Sequence, residues 1–242
     1  MSSQNRHLSG KFAFVTGASR GIGRGIALRL AERGAAVAIN YRQNESAALE
    51  VVSRIKEQGG EAFAVQADVS NVEELAGLVE KVQATFGAID IFVNNALGDL
   101  LRFMAPPLAV TLDQWETAFR CQSLAFLVGV QHVAPLMRDG GRIVAISYWP
   151  GSQQGGFSPS FAMGTNKAAL EAMCRYFAVS LAKKGYYRER HLCRHHRRQR
   201  SQSIASSSAG SDAQLADIML ESVGSSWPAR RHRWSSGIHL WR

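Results

Sequence analysis

Three glycines near the amino terminus give the clearest indication of chemistry in this sequence. Gly17, Gly21 and Gly23 follow the apolar run 12–15 with the spacing G-x-x-x-G-x-G, and an amphipathic stretch begins directly after them. Glycine lets a backbone approach a ligand closely, and free N–H groups at a helix start stabilise negative charge. A strand, a glycine turn and a helix in this order predict a site for the pyrophosphate of a dinucleotide. An ordinary strand-to-helix turn is the alternative.

Apolar and amphipathic segments alternate as far as Gly185, and these elements must position the site. Apolar runs predict five strands, near residues 12–16, 35–40, 62–66, 89–94 and 142–147. Helical periodicity lies between them, near residues 21–33, 45–58, 71–86, 112–138 and 161–184. Two of these helices have candidate capping boxes, Ser70 with Glu73 and Thr111 with Gln114. The alternation predicts a single α/β domain with a Rossmann-type, doubly wound parallel sheet, whose ligand crevice lies at the carboxyl ends of the strands.

Composition restricts the class of protein. The chain has 242 residues and 46% hydrophobic content, which is enough for one domain with a sizeable core. No apolar run reaches the roughly 18 residues of a membrane span, and residues 1–9 lack the apolar region of a signal peptide. The three cysteines are widely spaced. These features predict a cytoplasmic protein without a disulfide framework and without a membrane partner.

The net charge of +9 is concentrated in one part of the chain. Residues 186–242 contain 10 arginines and 4 acidic residues, whereas residues 1–185 are close to neutral. A basic surface on the folded domain is therefore not indicated, and we expect no nucleic-acid partner.

Two further motifs lie at strand ends, Asp68-Val69 after the third strand and Asn94-Asn95-Ala96 after the fourth. Together with the glycines, they make residues 10–185 resemble the short-chain dehydrogenase/reductase family. Three segments look most like its enoyl-acyl-carrier-protein reductase III branch, namely 91–101, 141–147 and 164–182. The 3-oxoacyl-carrier-protein reductase branch is the alternative.

The resemblance implies a set of cofactor contacts. Five residues of the glycine turn would surround the pyrophosphate: Gly17, Ser19, Gly21, Ile22 and Gly23. Asp68 would bind the adenine amino group, and Val69 would add a backbone contact. Asn95 and Ala96 would border the adenosine ribose, while Asn94 would brace the central strand.

The end of the second strand indicates which cofactor is bound. A site that prefers NAD has a carboxylate there for the ribose 2′-hydroxyl, but this strand ends in Asn40, Tyr41 and Arg42. Arg20 and Arg42 would instead flank a 2′-phosphate, which suits guanidinium groups. With Tyr41 as a neighbouring contact, the pattern predicts NADPH. Two solvated surface arginines are the alternative.

The family's catalytic pattern is only partly present. It requires a tyrosine as proton donor, a lysine that lowers the tyrosine pKa and holds the nicotinamide ribose, a serine and an asparagine. Lys167 matches the lysine, and the Ala168–Glu171 segment after it matches as well. Gln122 takes the place of the asparagine. The positions where the tyrosine is expected hold Met163, or Ser160 at the wider spacing of the enoyl reductase branch.

Tyr148 provides a substitute proton donor. It occupies the serine position, directly after Ser147, at the carboxyl end of the fifth strand. A phenol near Lys167 would have its pKa lowered by the ammonium charge. Tyr148 and Trp149 as an aromatic wall of the substrate pocket are the alternative. The candidate catalytic set is therefore Tyr148, Lys167, Ser147 and Gln122.

The resemblance implies an NADPH-dependent reductase of an enoyl thioester or related activated carbonyl compound, either free or carrier-bound. Reducing an activated C=C bond mainly needs hydride delivery and stabilisation of an enolate oxygen, so it tolerates loss of the usual tyrosine. The alternatives are a 3-oxoacyl (ketone) reductase and a cofactor-binding homologue that has lost catalysis. An intact homologue would form a homotetramer.

The segment after Gly185 differs abruptly from the rest. It is rich in arginine, histidine and serine, and no strand pattern continues into it. Four of its residues are of types that bind metals, namely His191, Cys193, His195 and His196. Residues 188–200 resemble a basic patch that binds nucleic acid. Nothing upstream prepares for either function, so we expect neither.

A shifted reading frame explains the tail better. Residues 186–200 can be encoded so that reading one nucleotide later gives I-T-V-N-A-I-C-A-G-I-T-D-D-S-V, which resembles the family's sixth strand and the loop over the nicotinamide. In the same frame, residues 230–241 can give A-D-I-G-G-A-V-A-F-I-C, similar to the family's late helix. We therefore interpret 1–185 as the NADP-binding domain and 186–242 as an aberrant, disordered tail. The sixth and seventh strands would then be missing, which leaves an exposed edge on the fifth.

Overall fold

A computed structural model of the chain describes residues 7–147, 160–183 and 193–194. The strands are β1 Phe12–Val15, β2 Ala36–Tyr41, β3 Ala62–Gln66, β4 Ile89–Asn94, β5 Met137–Ile146 and β6 Cys193–Arg194. The α-helices are α1 Gly21–Glu32, α2 Glu45–Glu57, α3 Val72–Phe86, α4 Leu112–Phe119, α5 Ala125–Val133 and α6 Phe161–Lys183. A π-helical turn at Arg120–Leu124 joins α4 to α5, and 3-10 turns lie at Leu100–Phe103 and Ala134–Leu136.

The strands form one parallel sheet in the order β3-β2-β1-β4-β5-β6. The chain begins in the middle of the sheet and winds outward first on one side and then on the other. The direction of winding reverses between β1 and β4, and a crevice opens at the carboxyl ends of strands at such a point. The predicted doubly wound α/β fold is therefore confirmed.

Helices cover both faces of the sheet, because side chains alternate along each strand. On one face, Ile26 of α1 and Ile55 of α2 pack with Val15 and other strand residues. On the other face, Phe14 and Phe92 stack with their ring centroids 5.2 Å apart and join the core formed with α3, α5 and α6. Burial on two faces explains why these strands are almost continuously apolar.

Several predicted boundaries needed correction. The helix expected at 112–138 is divided by the π-helical turn and ends in a 3-10 turn that contains Pro135, and β5 begins at Met137 rather than near residue 142. The capping box of Thr111 and Gln114 is confirmed. The capping box predicted at Ser70 is wrong. Asn71 caps α3 instead, because its side chain accepts from N–H groups in the first turn of the helix, whereas the Ser70 hydroxyl donates to Asp68.

The tail contributes one short strand. Cys193 and Arg194 form β6, which pairs in parallel with Ala145 and Ile146 of β5. The expectation that the sixth strand is missing is therefore wrong for these two residues, while the seventh strand falls outside the described residues. The sequence predicted no disulfide framework, but Cys174 on α6 is disulfide-bonded.

An ionic cluster fixes the amino-terminal edge of the sheet, opposite the crevice. Asp90 of β4 is buried and accepts hydrogen bonds from the Phe12 N–H at 2.9 Å and from Arg138 Nε at 2.9 Å. Lys11 Nζ lies 3.2 Å from the same carboxylate. Burial raises the pKa of Asp90, but the bonds from Arg138, Phe12 and Lys11 outweigh it and hold that pKa below its usual range. These bonds tie β1, β4 and β5 together at the end of the sheet away from the site.

Candidate functional site: the carboxyl edge of β1, β4 and β5

Side chains and backbone from β1 and β4 clasp each other at the crevice. Thr16, the residue after β1, accepts through Oγ1 from the N–H groups of Asn95 at 2.9 Å and Ala96 at 3.1 Å. Asn95 Nδ2 donates to the carbonyls of Thr16 at 2.9 Å and Gly17 at 3.1 Å. The Asn95 side chain therefore supports the glycine turn from beneath. Sequence reasoning missed Thr16, whose partners lie almost 80 residues away.

The glycines of the turn have two different roles. A side chain at Gly17, whose φ is +61°, would come within 2.9 Å of Ala96 Cα, and one at Gly23 would collide with the Gly17 carbonyl and Asn95. These two glycines allow α1 to pack closely on β1 and β4. Gly21 has a φ of +55°, and nothing lies within 4 Å of where its side chain would be. Of the three, Gly21 presents bare backbone to the crevice.

The start of α1 is suited to an anion. Arg20, at the N-cap, makes no side-chain capping bond, and the first turn of α1 contains no acidic residue. Ser19 is buried, Ile22 is half-buried and Arg20 is exposed. The first N–H groups of a helix need acceptors, and the helix dipole favours negative charge there. These residues therefore fit a dinucleotide pyrophosphate.

The end of β2 differs from its predicted arrangement. Asn40 is buried, and its Oδ1 accepts from the Gly17 N–H at 3.1 Å while its Nδ2 donates to the Ala67 carbonyl at 3.1 Å. Asn40 therefore braces the glycine turn, because its side chain points inward. Tyr41, predicted as a neighbouring contact of the cofactor, lies in the core. Burial raises the pKa of its phenol, and the Glu45 carboxylate raises it further.

Arg42 and Asp68 lie side by side beyond the ends of β2 and β3. Arg42 Nη1 is 3.4 Å from Asp68 Oδ2. The other oxygen of Asp68 accepts from Ser70 Oγ at 2.7 Å, and the neighbouring Val69 is buried. The structure thus brings together the residues predicted to bind the two ends of an adenosine 2′-phosphate.

Two buried amides lack hydrogen-bond partners in the described part of the chain. Gln122 is fully buried in the π-helical turn, and neither its Oε1 nor its Nε2 is bonded. Asn94, at the end of β4, has an unbonded Nδ2, so its side chain does not brace the strand through that donor; Thr16 and Asn95 provide the brace instead. Unpaired buried polar atoms are costly, and π-helical turns are frequent at functional sites.

Lys167 lies at the carboxyl end of β5. It is only 3% exposed, and its Nζ donates to the Ile146 carbonyl at 2.6 Å. Burial lowers the pKa of Lys167 to about 8, although the charge of Glu171 acts in the opposite direction. Ser147 is buried beside it and donates its hydroxyl to Glu171. A buried amine with a lowered pKa at a crevice is typical of functional sites.

The remaining candidates are in different places. Ser160 and Met163 are buried at the start of α6, whereas Tyr148 and Trp149 lie outside the described residues. So do His191, His195 and His196. Within 7–147, 160–183 and 193–194, no group of three or more histidine, cysteine, aspartate or glutamate side chains could hold a metal ion. None of the helices in those ranges is long and apolar enough to cross a bilayer.

Comparison with known proteins places this site in a family. The family model described as Enoyl-(Acyl carrier protein) reductase matches residues 17–187. A hydroxynaphthalene reductase-like protein of Metarhizium brunneum is 40% identical over 175 residues, which are 72% of this chain and 64% of that protein. The 1-cyclohexenylcarbonyl-CoA reductase of Streptomyces collinus is 40% identical over 174 residues, 72% of this chain and 60% of that protein. The chain thus spans less than two thirds of the length of either relative.

A solved structure of a short chain dehydrogenase also resembles this chain. A short chain dehydrogenase from Burkholderia cenocepacia in complex with NADP superposes with a TM-score of 0.75 and 27% identity, covering 90% of this chain and 92% of that one. The family match covers most of the chain and includes the glycine turn and the lysine helix. The chain belongs to the short-chain dehydrogenase/reductase family, in the group that the enoyl-(acyl carrier protein) reductase model describes.

Proposed function

We propose that this chain is an NADPH-dependent oxidoreductase that reduces an enoyl thioester or a related activated carbonyl compound. The observation that carries the proposal is Lys167, an amine buried at the carboxyl end of β5 on the same sheet edge as the glycine turn. Burying a lysine costs free energy, so a buried lysine at a ligand crevice favours a functional role. Two observations support a dinucleotide as the ligand of this chain: its family, and the start of α1, which has no side-chain cap and no acidic residue in its first turn.

NADPH would be held along the crevice. The N–H groups around Gly21 and the start of α1 would bind the pyrophosphate, and Arg20 and Arg42 would bind the 2′-phosphate. Arg42 now contacts Asp68, but both side chains are partly exposed, so that ion pair stabilises little. Turning Arg42 toward a phosphate therefore costs little, and Asp68 would become available to the adenine amino group.

Replacing Arg42 by alanine is expected to reduce the preference for NADPH over NADH. A charge-assisted bond to the 2′-phosphate contributes about 1–3 kcal/mol, so the ratio of the two dissociation constants should fall by about 5- to 150-fold. Fluorescence titration with both cofactors measures this ratio. Arg54→Ala removes an equal charge from an exposed position on α2 and should leave the ratio unchanged. Equal affinities for NADPH and NADH in the parent protein would contradict the proposal.

The chain's own residues would manage the protons. NADPH supplies the hydride. At pH 7, a lysine with a pKa of about 8 is about nine-tenths protonated, so Lys167 would present a cation to the nicotinamide ribose and to a nearby phenol. We propose Tyr148 as that phenol and as the donor that completes reduction. Gln122 is fully buried with both amide atoms unbonded, so it would offer a hydrogen-bond donor and an acceptor to an enclosed water molecule.

The substrate class rests on family evidence. The family model is described by an enoyl reductase, and the name of the Streptomyces relative specifies a cyclohexenylcarbonyl thioester. The name of the fungal relative specifies a hydroxynaphthalene, whose keto tautomer carries a C=O group, so ketone reduction is the second candidate. A panel of enoyl and 3-oxo thioesters, followed by loss of NADPH absorbance, separates the two. Tight NADPH binding without turnover of any substrate would support a cofactor-binding homologue that has lost catalysis.

A further inference from the structure

A second buried charge lies beside the lysine of the site. Glu171 is 4% exposed and follows Lys167 by four residues on α6, so both side chains lie on one face of the helix. A carboxylate buried to this extent is costly unless it is paired and hydrogen-bonded. In the sequence, Glu171 was noted only as part of the segment after Lys167 that matches the family. The proposed reaction assigns no role to Glu171.

Glu171 and Lys167 together hold two consecutive residues at the end of β5. Lys167 Nζ donates to the Ile146 carbonyl at 2.6 Å, and Ser147 Oγ donates to Glu171 Oε1. An ionised carboxylate can only accept hydrogen bonds. The hydroxyl hydrogen of Ser147 is therefore directed at Glu171, and Ser147 can only accept from any other group.

The surroundings leave Glu171 as the charge that acts on Lys167. In the described part of the chain, no other charged side chain shifts the pKa of Lys167. The π-helical turn that packs against α6 contributes the uncharged Gln122 and Cys121, whose thiol pKa is raised by burial, and its one charged residue, Arg120, is exposed. The neighbouring Asn166 is bonded to Ser123. Removing the charge of Glu171 would leave a lysine whose desolvation nothing charged opposes.

We propose that Glu171 is a positioning residue that keeps Lys167 charged in its buried site and holds the hydroxyl hydrogen of Ser147 away from the substrate. The proposal rests on the proposed function only in giving Lys167 a cofactor to bind. It also changes the division of labour within the candidate catalytic set. Ser147 does not donate to the substrate oxygen, so this task falls to another group of the site.

The direct test is the titration of Lys167 itself, measured by NMR in the full 242-residue chain with isotope-labelled lysines. The chain has six lysines, and Lys167→Met identifies the relevant resonance by its loss. We expect Glu171→Gln to lower the titration midpoint by about one pH unit or more, the size of shift that a close charge produces. Ser147→Ala, which keeps the charge but removes the hydrogen bond, should move it by much less. An unchanged midpoint in Glu171→Gln, or an equal shift in Ser147→Ala, would overturn the proposal.

Two further measurements keep the outcomes separate. If Glu171→Gln does not fold, the double variant Glu171→Gln/Lys167→Met removes both charges and should fold. A double variant that is equally unfolded would show that packing, and not charge, is the role of Glu171. NADPH affinity measured against pH tests the proposed function, because the NMR midpoint needs no cofactor. A chain that binds no NADPH but shows the midpoint shift would contradict the proposed function and support the role of Glu171.

Discussion

Lys167→Met is expected to lower turnover by two to four orders of magnitude and to weaken NADPH binding by about 10- to 150-fold. The variant keeps an unbranched, flexible side chain that is one atom shorter, but it removes the buried cation. Hydrogen bonds from a charged donor contribute about 1.5–3 kcal/mol, which sets the loss of affinity, and a misdirected or weakened proton donor sets the loss of turnover. Isothermal titration with NADPH and a thioester assay of the frame-corrected protein measure the two effects.

The same residue predicts how binding depends on pH. The folded-state pKa of Lys167 is lowered to about 8, so its cation is present below that pH and is lost as the pH rises through it. NADPH affinity should therefore be constant near pH 7 and fall above pH 8 in the parent, with no such step in Lys167→Met. Lys81→Met, at an exposed position on α3, removes an equal charge and serves as control. Lys167→Met binding and turning over like the parent would refute the assignment.

Tyr148→Phe separates the lysine from the proton donor. If Tyr148 donates the proton, this variant should lose turnover to the same degree as Lys167→Met, about two to four orders of magnitude, but keep its NADPH affinity. The reason is that phenylalanine keeps the shape of the aromatic ring but lacks the phenol proton. Turnover within a few-fold of the parent would leave Tyr148 as a wall of the substrate pocket.

The sequence predicted the sheet because its strands satisfy a local rule. Segments such as Ala36–Tyr41 and Ile89–Asn94 are buried on both faces and are almost wholly apolar. The boundaries of β5 could not be predicted in the same way. Residues 138–142 carry charges and two glycines, which are not typical of a buried strand. They belong to β5 because β4 pairs with β5 on both sides of a register shift between Ile89 and Ile91. Pairing of this kind depends on a distant segment, so periodicity does not reveal it.

In the site too, features set by neighbouring residues could be predicted, and features set by distant segments could not. The glycine turn and Lys167 were recognisable because they are sets of neighbouring residues with fixed spacing. The clasp of Thr16 with Asn95, and the inward position of Asn40, depend on hydrogen bonds that span 23 to 79 residues. Only Glu171 had a usable local signal that was overlooked, its spacing of four residues from Lys167 on a helix. A buried acid and base at that spacing share one helix face.

Sequencing the gene is expected to reveal a gained or lost base near codon 185, and correcting it should restore a longer sixth strand. β6 has two residues, against four to ten in β1 to β5, and the match to the family model ends at residue 187. The corrected frame replaces an arginine- and histidine-rich segment by I-T-V-N-A-I, which can pair along β5. Each valine or isoleucine that becomes fully buried contributes about 1.5–3 kcal/mol. Urea unfolding of the corrected protein should therefore show a free energy of unfolding several kcal/mol higher.

The corrected protein should also gain activity, because the shifted frame supplies the loop that the family resemblance places over the nicotinamide. Covering the crevice excludes water and fixes the geometry for hydride transfer. We expect turnover to increase by at least about a hundredfold over the 242-residue chain. In limited trypsin digestion, the 242-residue chain should be cut first at the arginines that follow Gly185, because a polar segment of this composition would bury little apolar surface. An uninterrupted reading frame, together with a trypsin-resistant tail that unfolds cooperatively with the domain, would show that residues 186–242 are a genuine element of this fold.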